Sequence, residues 1–384
     1  MTTEILFWGI CALIGYTYVG YPLVITLLSF FVDNKVKSGD IEPFVSLIIS
    51  AYNEEKDIKG KIDNSLTLDY PSAKLEIIIA SDGSTDATDD IVRRYEKNND
   101  DRKVILHRVE GRQGKTAAQN SAVKIARGEV IVFSDAASLY DRGAIRALVR
   151  NYADPTVGAV SGMYKYINKA KASVGSATIV FWNIENFIKS RQTRIKTVTG
   201  CCGCIYSVRK VLYTALPPTI ISDLVEPLTI LKKGYRIVFE PRALAFEETT
   251  EKTKDEFKMR VRVIVRGMNG LLYMRTLLNP FRHPFVAFQL LSHKVLRWFV
   301  PVFCLAVFLL TISLSAGNRF YQMVLILQVV FYALAVSGML LEKKGIKHKI
   351  FYLPMYFTIV NAASLVSLFK VFKGENIVVW QTQR

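Results

Sequence analysis

Apolar residues crowd the two ends of the chain and thin out between them. The N-terminal run "ILFWGICALIGYTYVGYPLVITLLSFF" occupies residues 5–31, and three more runs lie near 298–316, 320–341 and 350–369. Each is about long enough to cross ~30 Å of hydrocarbon as a helix. The first is longer than the apolar core of a signal peptide, follows no basic stretch and meets no small-residue cleavage site, so it reads as a retained anchor. Lys35 and Lys37 follow it, and "EKKGIKHK" (342–349) separates the third and fourth runs. Basic loops stay on the cytoplasmic side, which places the segment between the ends in the cytosol. Pro354 and Asn361 interrupt the fourth run, and Lys370, Lys373 and Arg384 beyond it oppose an outside location. That run is open between spanning and re-entering.

The middle alternates short apolar runs with amphipathic segments: "FVSLIISA" (44–51), a polar helix from Glu54, "KLEIIIAS" (74–81), a helix from Ser84, "KVILHRV" (103–109), a helix from Gly114, then "EVIVF" (129–133). This order predicts an α/β domain with a mostly parallel sheet. Such sheets bind ligands beyond the carboxyl ends of their strands. Those ends carry "AYNEE" (51–55), "SDGSTD" (81–86) and "SDAAS" (134–138), which puts Tyr52, Glu54, Asp82 and Asp135 along one rim. Ser84 and Asp86 suit helix capping. Asp82, before Gly83 in a tight turn, and Asp135, at the end of an apolar strand, are less easily explained. A carboxylate there is costly unless paired, solvated or beside a cation.

Hydrophobic residues make up 51% of the 384, and 50 Lys plus Arg against 33 Asp plus Glu give a net charge of +17. That charge suits anionic lipid or phosphorylated substrates, and excess cytosolic Lys and Arg in a membrane protein accounts for most of it. No basic stripe studded with aromatics is present, so nucleic acid is not an expected partner. Cys201, Cys202 and Cys204 cluster without a second Cys or His group at zinc-binding spacing, and a cytosolic setting argues against a disulfide. His107, His283, His293 and His348 are scattered and read as structural or interfacial.

An ordered set of motifs then carries a resemblance: "AYNEE", "SDGSTD", "RQGKTAAQNSA" (112–122), "FSDAAS", "FWNIENF" (181–187), "TGCCGCIYSVRK" (199–210), "SDLVEPL" (222–228), "GYRIVFEPRALAFEE" (234–248), "RVRVIVRG" (260–267) and "HKVLRW" (293–298). Over nearly its whole length the chain resembles the membrane-bound, inverting family 2 glycosyltransferases, related to cellulose, hyaluronan, chitin-oligosaccharide and poly-N-acetylglucosamine synthases. The resemblance implies a GT-A, Rossmann-like domain inserted between transmembrane helices. It divides the chain into an anchor (1–36), a cytosolic catalytic domain (37–250), amphipathic interface helices (251–296) and a C-terminal membrane region of two to three spans (297–384).

It also implies roles. Tyr52, Glu54 and Asp82 would hold the base and ribose of a nucleotide sugar, most often UDP-linked, with GDP still open. Asp135 would open the D-x-D motif and ligate a divalent cation, Mg²⁺ or Mn²⁺, at the diphosphate. Position 137 is Ala rather than the second acidic residue, which leaves the metal one ligand short. Mg²⁺ commonly takes only one or two protein carboxylates, so Asp135 alone can suffice. Asp223 matches the catalytic base, although Ser222 and Asp223 also suit a helix N-cap. Lys115 matches a Gly-Lys step near the donor. Arg262 and Arg266 share a helix face suited to a diphosphate, on a helix that also has the amphipathic pattern of one lying on lipid. Cys202 and Gly203 match an acceptor floor, and Glu185 an acidic position of the acceptor side. Relatives that build long polymers carry Q-x-x-R-W where this chain has Val263 and Ile264 after Arg262, which argues against processive synthesis.

The reading is an integral-membrane glycosyltransferase with a cytosolic catalytic domain. Its partners would be membrane lipids, a nucleotide sugar donor, and a growing glycan or polyprenyl-diphosphate-linked acceptor. The alternative, resting on Ala137, is a non-catalytic nucleotide-binding membrane regulator of the same fold. Oligomeric state is not encoded in these motifs.

Overall fold

The computed structural model describes residues 2–98, 103–167, 173–249, 253–343 and 348–377. Lys344, Lys347 and Arg384 lie outside the described residues.

Eight strands form one sheet: β1 (Val45–Ala51), β2 (Leu75–Ser81), β3 (Val104–Arg108), β4 (Val130–Asp135), β5 (Leu139–Tyr140), β6 (Val157–Ile167), β7 (Ile205–Arg209) and β8 (Arg236–Glu248). Their spatial order is β3-β2-β1-β4-β7-β6-β8-β5. The first four strands pair in parallel, β7 runs antiparallel between β4 and β6, and β6 pairs in parallel with β8. The sequence pattern captures the parallel half. The reversal at β7 follows from a long excursion through residues 168–204 that no local periodicity announces.

Strands β1 and β2 are buried along their entire length, which is why they read as unbroken apolar runs rather than alternating ones. Leu47 and Ile49 enter one core layer while Ile48 enters the other, the period-2 alternation of a sheet covered on both faces. The connecting helices are α3 (Ile58–Leu66), α4 (Thr88–Asn98), α5 (Lys115–Ile125) and α6 (Ala144–Val149), and α8 (Ser222–Lys232) leads into β8; α1 and α2 belong to the apolar part described below, and α7 joins it to the sheet. Helix α4 begins at Thr88 rather than at Ser84. Asp86 accepts from the Thr88 backbone N–H at 3.0 Å, the capping role its residue type suggests.

Four helical segments are long and apolar enough to cross a membrane: Thr2–Phe31, Pro284–Ser315, Arg319–Glu342 and Lys349–Phe372. The first comprises α1 (Thr2–Gly15) and α2 (Tyr21–Phe31), joined by a π-helical turn at Tyr16–Gly20. The second comprises α10 (Pro284–Leu290) and α11 (Leu296–Ser315), joined by a π-helical turn at Leu291–Val295. The two turns meet: Tyr16 Oη and Ser292 Oγ are 2.8 Å apart. Helices α12 (Arg319–Lys343) and α13 (Tyr352–Phe372) follow. Pro354 sits in the first turn of α13, where its missing N–H costs nothing, and Asn361 donates to the Phe357 carbonyl of its own helix at 2.8 Å, so neither residue breaks it.

Two helices join the sheet domain to this apolar part: α7 (Ser173–Ile195), which packs on α2, and α9 (Thr253–Tyr273), which packs on α13. Val261 and Val265 of α9 are buried with Ala363, and Ile264 and Met268 with Leu368. The amphipathic pattern of α9 is therefore satisfied by protein. Arg260 turns to Glu256 (2.8 Å) and the Tyr356 hydroxyl (2.7 Å) rather than outward to lipid phosphate.

Candidate active site

The parallel register sets the site. Ser50 of β1 pairs with Asp135 of β4, and Ala51 pairs with Ser81 of β2, so the three strands end on one rim. A cavity of about 890 Å³ opens beyond it. Seven of the residues singled out from the sequence line this cavity: Glu54, Lys115, Asp135, Gly203, Asp223, Arg262 and Arg266. Strand ends, the start of α5, the start of α8 and one face of α9 supply them, which brings positions 212 residues apart in sequence into one space.

Lys115 is the first residue of α5, and its ammonium donates to Asp135. It also lies 3.4 Å from the Gly203 carbonyl. Burial works against its charge, but Asp135 outweighs that and holds the ammonium above the ordinary lysine value. Arg266 donates to the Ile220 carbonyl (2.7 Å) and to Thr116 Oγ1 (3.1 Å). Burial pushes its guanidinium down to about 10, with Asp223 pulling it back up. It remains a cation at neutral pH.

Asp223, the second residue of α8, is half-buried, and its Oδ1 has no hydrogen-bond partner. Buried acceptors are normally satisfied, so this orphaned oxygen, itself shielded from solvent, is an exception in a residue that lines the cavity. Burial raises the Asp223 carboxyl above its ordinary value, and Lys115, Arg266 and Lys189 oppose the rise. A carboxylate shifted toward neutrality is a better general base. Gly203 is held against it: a Cβ there would lie 2.5 Å from Asp223 Oδ2. Among the described residues no group of three or more His, Cys, Asp or Glu is arranged to hold a metal ion. Asp135 is the carboxylate that a cation at this rim would meet.

Four expected residues do not line the cavity. Asp82 is fully buried, and its carboxylate accepts from the backbone N–H groups of Gln113 (2.8 Å) and Gly114 (2.9 Å), fastening the 110–114 loop beside the rim. Gly83 is needed next to it, with φ +71° and the Gly111 carbonyl 2.5 Å from where a Cβ would stand. Tyr52 carries the Arg112 guanidinium stacked 3.8 Å from its ring centre. Cys202 is buried with its sulfur 3.6 Å from that of Cys204, both as thiols. Glu185 is buried between α7 and the second apolar segment, 3.2 Å from His293 Nε2 and bonded by Arg297. Burial would raise its carboxyl, but His293 and Arg297 outweigh this and hold it well below the usual carboxylate range. These bonds tie α7 to that segment.

Sequence reasoning missed Lys61, a fully buried lysine beneath the Asp135 turn. The signal was present: Ile58, Lys61, Ile62 and Ser65 form the buried stripe of α3, with a cation inside it.

Residues 46–215 match the model of the glycosyl transferase family 2 family. They form a family 2 glycosyltransferase domain. The chain is related to the poly-β-1,6-N-acetyl-D-glucosamine synthases of Staphylococcus aureus, 29% identical over 233 residues that cover 59% of this chain and 55% of the relative. It thus spans about half the length of those relatives. A probable glycosyltransferase of Bacillus subtilis, YdaM, is 26% identical over 351 residues, covering 86% of this chain and 82% of the relative. A mannosyltransferase from Pyrobaculum calidifontis, solved in complex with GDP-Man and Mn²⁺, superposes with a TM-score of 0.73 at 21% identity, covering 96% of this chain and all of that one. At that identity the likeness shows the fold, a GT-A arrangement accompanied by apolar helices. The family 2 domain contributes Glu54, Lys115, Asp135 and Gly203 to the cavity, while Asp223, Arg262 and Arg266 come from the chain beyond it.

Proposed function

We propose that the chain is a membrane-embedded, inverting glycosyltransferase whose catalytic domain faces the cytosol and moves a sugar from a nucleotide sugar to a hydroxyl of a lipid-linked or growing glycan acceptor. The observation that carries this reading is the Asp223 carboxylate, raised by burial and lining the same cavity as the Lys115–Asp135 pair and two arginines. In the reaction the acceptor oxygen bonds to the anomeric carbon as the bond from that carbon to the diphosphate breaks. Asp223 takes the acceptor proton, and attack from the face opposite the leaving group inverts the anomeric centre. Lys115, Arg262 and Arg266 offset the charge that develops on the diphosphate. Asp135 would hold a divalent cation, which supplies further charge neutralisation when bound. Glu54, at the end of β1, lies on the nucleoside side, with UDP the first donor to test and GDP the second.

The test is release of nucleoside diphosphate by the purified full chain in lipid, over a panel of UDP- and GDP-sugars, with Mg²⁺, Mn²⁺ or chelator and membrane extract as acceptor source. Release with one donor supports transfer, and radiolabel in an extractable lipid fraction rather than in high-mass polymer assigns the lipid-linked acceptor. Nucleotide binding with no release on any donor would overturn the enzyme reading in favour of a regulator.

A further inference from the structure

The turn between β4 and β5 carries Asp135 and, where a second acidic residue would give a cation another ligand, Ala137. Helix α3 grips this turn from beneath at two points. Asn64 Nδ2 donates to the Tyr140 carbonyl at 2.9 Å, and its Oδ1 accepts from the Tyr140 N–H at 2.8 Å. One turn earlier, Lys61 Nζ donates to the Ser138 carbonyl and stands 3.8 Å from the centre of the Tyr140 ring. Lys61 is 0% exposed and has no carboxylate within salt-bridge distance among the described residues. The titratable groups that act on it are the Cys204 thiol ahead of β7, Asp135 of β4 and Glu247 of β8, with the Tyr140 hydroxyl of β5 in the same layer.

Asn64 alone provides a neutral, two-bond clasp on this turn. An ammonium buried without a counter-ion is a costly way to add one more bond to a carbonyl, since a methionine of similar length fills the space with no charge to desolvate. The position under the diphosphate subsite supplies the missing reason. We propose that Lys61 is a positioning residue that places a positive charge beneath the Asp135–Ser138 turn when the diphosphate binds and strengthens that binding through the low-dielectric protein. It touches no substrate. Its charge acts with Lys115 in a site that has one acidic ligand where two would draw a cation more firmly.

A second consequence follows from burial, which pushes the ammonium down to about 7. Near neutral pH the lysine is only partly protonated, and an incoming diphosphate raises that fraction. Binding is then coupled to proton uptake.

This inference rests on reading the cavity as a nucleoside diphosphate site, and isothermal titration of the full chain in detergent separates the two. UDP and GDP are titrated into wild type, Lys61→Met and Asn64→Ala at pH 7.5, in two buffers of different ionisation enthalpy. The matching nucleosides are measured by competition, and melting temperatures are recorded. Failure of wild type to bind either diphosphate would overturn the site reading itself. With binding established, Lys61→Met is expected to weaken the diphosphate about tenfold, to leave the nucleoside unchanged and to melt no lower than wild type. Asn64→Ala is expected to melt lower and to affect nucleoside and diphosphate alike. Unchanged diphosphate affinity in Lys61→Met, or equal loss of nucleoside and diphosphate together with a fall in melting temperature, would make Lys61 merely structural and overturn the proposal. Should Lys61→Met not fold, Lys61→Gln takes its place, with the same expected result and the same overturning one.

Discussion

Gly203→Ala tests the geometry of the base most sharply. A Cβ at 203 would stand 2.5 Å from Asp223 Oδ2 and 3.2 Å from its Cγ, where ordinary contact begins at 3.4 Å. The obstructing atom is the end of a rotatable side chain, so the fold yields by turning the carboxylate away, a retreat of about 1 Å. That movement costs little stability. Displacing a reacting group by about 1 Å costs on the order of 10²-fold in rate, or roughly 2.7 kcal/mol of barrier. The assay is single-turnover nucleoside diphosphate release beside donor affinity and melting temperature. The expected result is a rate about a hundredfold lower, with affinity within threefold and melting within about 2 °C of wild type. A rate within threefold of wild type would refute the placement of Asp223 as base, and loss of donor affinity would mean that the methyl fills the donor's own space.

Three further outcomes are expected. Lys115→Met removes a charge-assisted bond from the donor side and should lower nucleoside diphosphate affinity about ten- to hundredfold, measured by titration calorimetry. Glu226 is buried with one bond, to Tyr206 at 3.0 Å, and burial raises its carboxyl well above 4.5. A carboxyl raised on folding adds stability below its unfolded value that is lost as pH rises through the folded one, so Glu226→Gln should gain on wild type in melting temperature as pH climbs above 4.5. Arg297→Met leaves Glu185 buried without its guanidinium and should cost roughly 3 kcal/mol by denaturant unfolding in detergent.

Much of the site was legible because it lies at strand ends. Asp135 and Glu54 stand where an apolar run stops and a polar residue must meet solvent or ligand, and the β1–β4 register sets Asp135 opposite Ser50, just before the loop that carries Glu54. Asp82 has the same local signature, yet its carboxylate is used by Gln113 and Gly114, partners 31 and 32 residues away that no spacing rule reveals. Glu185 was singled out by family resemblance alone, and its partners His293 and Arg297, 108 and 112 residues away, are likewise beyond any spacing rule. Apolar length gave the four long helices. The two π turns, which let Tyr16 reach Ser292, follow from packing between segments rather than from composition. Lys61 was legible as a cation in an apolar stripe, and only the turn lying over it shows what that cation faces.

The most direct measurement of the central claim is donor turnover by Asp223→Asn beside wild type, with the donor that wild type accepts. Asparagine keeps the shape and removes the base, so release of nucleoside diphosphate is predicted to fall about 10²–10⁴-fold while donor affinity stays within threefold. Turnover by Asp223→Asn at the wild-type rate would contradict the account.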